Sequence, residues 1–129
     1  MQASKKTVLV VFILMAAGCT TLPAMKPVSV GSLVFHNSTP QALQDVRLQV
    51  QKTGGFVSCN TVLPGHSCAT TFPSRQYRGA PVVISWRQAG RRFSSGEMQI
   101  RPRGKPASGK PATVIVTIKI DSSVNAHIE

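Results

Sequence analysis

Acidic side chains are scarce in this chain. Four Asp and Glu stand against fifteen Lys and Arg in 129 residues, a formal net charge of +11 at pH 7. The four acids, Asp45, Glu97, Asp121 and Glu129, are far apart in the chain. General acid–base chemistry needs a proton acceptor poised against another group, and the paired carboxylates of glycoside hydrolysis have no counterpart here. Histidine is equally sparse: His36, His66 and His127 show no metal-ligand spacing such as HxxxH. There is no GxSxG elbow and no SxxK, and the glycines form no phosphate-binding loop. The reading is a non-enzyme with no cofactor and no metal. The sequence also lacks an amphipathic helix and an apolar run of the ~20 residues that a membrane-spanning helix needs.

The longest apolar stretch lies near the start. Lys5 and Lys6 precede Thr7 to Met15, which carries no charge and runs into Ala16-Ala17-Gly18-Cys19. A positive start, a short apolar centre and small residues at the end make a secretory signal. Ala16-Ala17-Gly18-Cys19 resembles the lipobox of bacterial lipoproteins. The resemblance implies cleavage before Cys19 and lipidation of its sulfur with a diacylglycerol. Two or three acyl chains hold a protein firmly where one does not. Thr20, in place of the Asp that commonly retains such proteins at the inner membrane, implies the periplasmic face of the outer membrane. The expected organisation is a signal over 1–18, a lipidated tether over 19–27, one domain over 28–120 and a flexible tail over 121–129.

Lys5 and Lys6 fall inside the signal, so the mature part carries +9 of the +11. Of the three cysteines, Cys59 and Cys68 remain after Cys19. An even pair in an exported chain predicts a disulfide, and the spacing fits neither CxxC redox chemistry nor a zinc knuckle. Pro64-Gly65 between them marks a turn.

Strand periodicity fills the rest. Val46, Leu48 and Val50 alternate with Arg47, Gln49 and Gln51; Val82, Ile84 and Trp86 form a second apolar face; Val114, Val116, Ile118 and Ile120 form a third. Further strands are predicted over 31–38, 56–60, 67–72 and 91–101, with a kink at Ser95-Gly96. The segment 101–111, rich in proline and glycine, reads as an exposed basic loop. About seven short strands separated by turns predict an all-β, antiparallel β-sandwich; a closed barrel of the same strands is the competing architecture. Asn37 at the end of an early strand, and Leu63-Pro64-Gly65-His66-Ser67-Cys68 leading into another, resemble immunoglobulin-like and fibronectin-III-like modules of bacterial envelopes. Cys59 and Cys68 are too close in sequence for the antibody inter-sheet bridge, so Trp86 is read as core.

The basic excess is the remaining functional signal. Arg75 and Arg78 flank Tyr77, where an aromatic can stack while cations hold anionic groups. Arg101, Arg103, Lys105 and Lys110 crowd the loop. These seven residues are the candidate anion-binding set, against the alternative that they are solvated surface. The expectation is a noncatalytic lipoprotein that binds or scaffolds an anionic polymer, lipid head groups or a protein machine. The alternative is an accessory lipoprotein subunit of a secretion or pilus apparatus. Nucleic acid is not an expected partner, since no binding motif for it is present.

Overall fold

The computed structural model describes residues 25–105 and 109–129. The signal, Cys19 and the first part of the tether lie outside those residues. Among the described residues there are nine strands and no helix. They are β1 (Val28–Ser38), β2 (Leu43–Val50), β3 (Phe56–Val62), β4 (Ser67–Tyr77), β5 (Val82–Gln88), β6 (Arg91–Met98), β7 (Arg101–Pro102), β8 (Ala112–Lys119) and β9 (Val124–Ile128).

The strands divide into two sheets, of order β4-β1-β8-β9-β7 and β3-β2-β5-β6. The four-stranded sheet is antiparallel throughout. The five-stranded sheet is mixed, because β1 runs parallel to β8 and β7 parallel to β9. The all-β, two-layer expectation therefore holds, while the strand count and the purely antiparallel pairing are corrected. Alternating side chains from both sheets meet in one core: Phe35, Val116 and Ile118 from one layer, Val46, Ile84 and Trp86 from the other. Trp86 is fully buried and stacks on Phe93 with ring centroids 5.7 Å apart.

Three further corrections concern the C-terminal third of the chain. Residues 121–129 do not fray: β9 pairs with β8 from Val124 to Ile128, and Ile128 is buried. The alternation of β8 stops before Ile120, which is 75% exposed. Ile120 opens the turn in which Ser122 adopts a positive φ of 65° and Asp121 Oδ1 accepts bonds from the Ser123 amide and hydroxyl. These bonds hold the exposed Asp121 carboxyl below the usual carboxylate range. The third is the loop after β6, which contributes a short strand: Arg101 and Pro102 pair with His127 and Ile128.

β4 continues past its expected end at Phe72 in spite of Pro73. Its ladder with β1 steps from Ser32↔Thr71 to Val30↔Arg75, leaving residues 72–74 opposite Gly31. A bulge is where a strand can hold a proline, which has no N–H to donate. A Cβ on Gly31 would stand 2.7 Å from Pro111 Cβ, so this bulge also needs glycine to admit the end of the basic loop.

Cys59 and Cys68 form the predicted disulfide, with Cα atoms 6.5 Å apart. Cys59 belongs to β3 and Cys68 to β4, each at the edge of its own sheet. The bond therefore fastens the two layers along one side.

Asn37 is buried, and its polar side-chain atoms are all occupied. Its Nδ2 donates to the carbonyls of Gln41 (2.8 Å) and Val62 (3.0 Å), and its Oδ1 accepts from the Thr39 amide (3.0 Å) and hydroxyl (2.7 Å). Its backbone bonds the Pro64-Gly65 turn through His66 O and the Gly65 amide.

Candidate functional site: a cationic cleft between the sheets

At one end of the sandwich the two layers leave a cleft of about 1160 Å³. Its walls come from inward positions of both sheets: Val30, Leu33 and Val114 on one side, Leu48, Val57 and Val82 on the other. The same alternation that builds the core lines the cleft. Five of these six residues are buried in the core, and Val57 is half-buried, so the cleft lies against the end of the core.

The mouth is polar and mostly positive. Lys52, Arg75 and Arg78 line it with one carboxylate, Glu97. Arg75 leaves the edge strand of one sheet and reaches the β2–β3 turn of the other; its Nη1 lies 3.4 Å from where a Cβ on Gly55 would stand. Among the described residues the ion pairs are Arg87–Asp45 at 3.5 Å and His127–Glu129 at 2.9 Å. Neither engages Lys52, Arg75 or Arg78. A cation without a carboxylate partner keeps its full capacity to receive an anion.

Tyr77 braces this end. Its hydroxyl donates to Ala80 O at 2.6 Å and accepts from the Ile100 amide at 3.1 Å. Burial raises the phenol above its ordinary pKa, and the Ile100 amide bond works in the opposite direction. With the hydroxyl committed to backbone, the ring is what Tyr77 offers the cleft. Gly79, also lining the mouth, has φ of +89° and lies between two neighbours. Gln99 Nε2 donates to Gly79 O at 2.9 Å, and a Cβ on Gly79 would stand 2.8 Å from Met25 Cγ. Met25, the first described residue, is thus seated at the mouth.

The structure brings together part of the candidate set. Arg75, Tyr77 and Arg78 share the cleft. Arg101, Arg103, Lys105 and Lys110 are exposed and do not line it. Arg101 follows Ile100, whose amide is bonded to Tyr77, so the basic loop begins beside the cleft and then leaves it. Lys105 and Lys110 flank residues 106–108, which lie outside the described residues. Lys52, Glu97, Val30 and Val57 are additions that strand patterns do not single out, while Val82 and Val114 belong to the expected apolar faces. Cys19 lies outside the described residues.

A second, smaller depression on the outer face of the four-stranded sheet is polar, with Asp45, Arg47, Gln49, Asn60 and Arg92 along it. Arg47 stacks there on the exposed Phe56 ring, 4.3 Å from its centroid. Among the described residues no group of three His, Cys, Asp or Glu side chains is placed to hold a metal ion.

No protein-family model matches the chain, and no curated protein does. Among solved structures it is similar to an NMR structure of a protein from Eubacterium rectale, at 14% identity. That match covers 78% of this chain and 86% of the other, with a TM-score of 0.44.

Proposed function

We propose that this chain is a noncatalytic bacterial envelope lipoprotein whose basic β-sandwich is a binding module for an anionic component of the envelope. The observation that carries this reading is the cluster of Lys52, Arg75 and Arg78, which form no ion pair among the described residues, around the mouth of an apolar cleft. A chain with +9 beyond its first eighteen residues attracts anionic surfaces over a distance of about a Debye length, ~8–10 Å near physiological salt.

In this reading the lipobox-like Ala16-Ala17-Gly18-Cys19 supplies the anchor, and Thr20 after it favours the periplasmic face of the outer membrane. The Cys59–Cys68 disulfide supports an oxidising compartment, where such bonds form and persist. An immunoglobulin-like kinship is part of the same proposal. The packing of two sheets supports it, while nine strands and the β1–β8 parallel pair depart from the expected seven-strand antiparallel form.

The test is mass spectrometry of the mature protein taken from fractionated membranes. The expected product begins at a Cys19 that carries a diacylglycerol. Cleavage elsewhere, or an unmodified Cys19, removes the anchor and the reading with it.

A further inference from the structure

We infer that the cleft between the sheets binds an anionic phospholipid drawn from the membrane, with acyl chain between the layers and phosphate on the cations of the mouth. The membrane source rests on the envelope-lipoprotein reading above; the site itself rests on the geometry.

Three observations converge. The cleft, at about 1160 Å³ and open to solvent on one side, is large enough to receive an alkyl chain along its apolar side; sites for drug-sized ligands are ordinarily ~300–1000 Å³. Its walls are aliphatic: Val30, Leu33 and Val114 face Leu48, Val57 and Val82. An uncharged alkyl chain gains from leaving water for such a wall, and a charged group does not.

Charge at the mouth then selects the head. Lys52, Arg75 and Arg78 outnumber Glu97, and guanidinium groups match phosphate oxygens in a two-pronged geometry. The apolar depth and the cationic rim together describe an amphiphile. A soluble phosphate would leave the walls empty, and a neutral lipid would leave the cations unmatched.

The third observation is where the chain enters. Met25 is packed at Gly79 on the rim of the cleft. Five residues separate Met25 from Cys19. Fully extended, that stretch reaches about 20 Å. An acyl anchor at Cys19 therefore keeps the mouth within about that distance of the lipid heads. A lipid can pass from bilayer to cleft without the domain leaving the surface.

The experiment uses the full chain purified in detergent and a pyrene-labelled phosphatidylglycerol, with a pyrene-labelled phosphatidylcholine as the zwitterionic comparison. Saturable binding of the anionic probe is expected, at least tenfold tighter than the zwitterionic one. Val57→Trp, which fills the cleft and leaves the charges in place, is expected to weaken the anionic probe at least tenfold. The pair Arg75→Ser and Arg78→Ser is expected to erase the preference for the anionic head. Circular dichroism on each variant establishes that it folds, and Val57→Phe is the milder filling variant should Val57→Trp unfold.

Binding that neither filling variant alters would overturn the site. So would equal binding of the two probes by the unaltered chain. A Cys19→Ser chain that binds the probe, beside an acylated chain that does not, would assign the cleft to the protein's own lipid and also overturn the inference. The same preparations separate this inference from the envelope reading. An acylated Cys19 with no probe binding defeats the cleft alone. Specific probe binding by a chain whose native Cys19 is unmodified keeps the cleft and defeats the anchor.

Discussion

Asn37 occupies its position by hydrogen bonding alone. Its side chain closes the end of β1 onto Gln41, Val62 and Thr39 with no polar atom left over. Replacing it with Ala removes the partner of the buried Val62 carbonyl and of the buried Thr39 amide, each costing about 1–3 kcal/mol when left unpaired, while Gln41 O keeps the Thr39 hydroxyl and Gln88. Asn37→Ala is expected to lower unfolding free energy by about 2–4 kcal/mol, read as a shifted urea midpoint at unchanged slope. A loss below about 0.5 kcal/mol would mean that the network is solvated and incidental.

Tyr77 gives a pH-dependent counterpart. Its folded pKa is raised, with burial as the larger cause. The native state therefore holds the phenol proton more tightly than the unfolded chain does. That contribution is fully present below the unfolded value near 10 and is lost as pH rises through the higher folded value. Tyr77→Phe should lose the two backbone bonds at neutral pH. It should also lack the part of the alkaline decline due to the phenol, seen by comparing urea midpoints of the two proteins between neutral and strongly alkaline pH.

At the scale of elements, sequence patterns read well wherever a strand carries several alternating apolar residues. Val46-Leu48, Val82-Ile84-Trp86 and Val114-Val116-Ile118 all fall on the buried face as expected. They read badly where pairing with a neighbour, rather than alternation, makes the strand. β9, Val-Asn-Ala-His-Ile, is five residues with a single fully buried side chain, so its alternation is too short to distinguish it from tail. Only the ladder offered by β8 makes it a strand. Ile128→Ala should accordingly cost about 2–4 kcal/mol, in the range of buried Ile truncations; a tail residue would cost almost nothing. Denaturant titration distinguishes the two. The parallel β1–β8 pair was illegible for a related reason: local periodicity says which face a strand buries but not which neighbour it takes.

The disulfide belongs to this scale too. It closes a loop between edge strands of different sheets, with a sequence separation of 9. In the chain-entropy picture a loop this short contributes about 2.5–3 kcal/mol. Cys59→Ser with Cys68→Ser should lower the stability by that amount, and reductant should do the same to the native protein while leaving the double variant unchanged. Equal responses of both proteins to reductant would show that the effect comes from elsewhere.

For the molecule as a whole, the sequence contained the charge excess and the Arg75-Gln76-Tyr77-Arg78 cluster, but not the cavity beside it. A cleft depends on how far two sheets stand apart, and no run of residues in one strand encodes that distance. Lys52, in the β2–β3 turn, and Arg75, near the end of β4, are brought to one mouth only by the packing of the layers. Adsorption of the chain to vesicles containing phosphatidylglycerol should weaken as salt rises, because the Debye length falls from ~10 Å at 0.1 M to ~3 Å at 1 M. Arg101→Ser, Arg103→Ser, Lys105→Ser and Lys110→Ser together should flatten that dependence in a sedimentation assay. Their exposed side chains contribute to long-range attraction without lining the cleft. An unchanged salt profile would limit the electrostatic attraction to the mouth.

The seat of Met25 also has a mechanical side. The chain passes from Met25 into β1, the longest-paired strand of its sheet, held by β4 on one side and β8 on the other. Tension along the axis of that strand loads the rungs of both ladders together, in shear, rather than opening them one after another. A membrane that drifts or is pulled relative to the domain would thus strain its most tightly fastened strand, and the mouth beside Gly79 would move with the anchor.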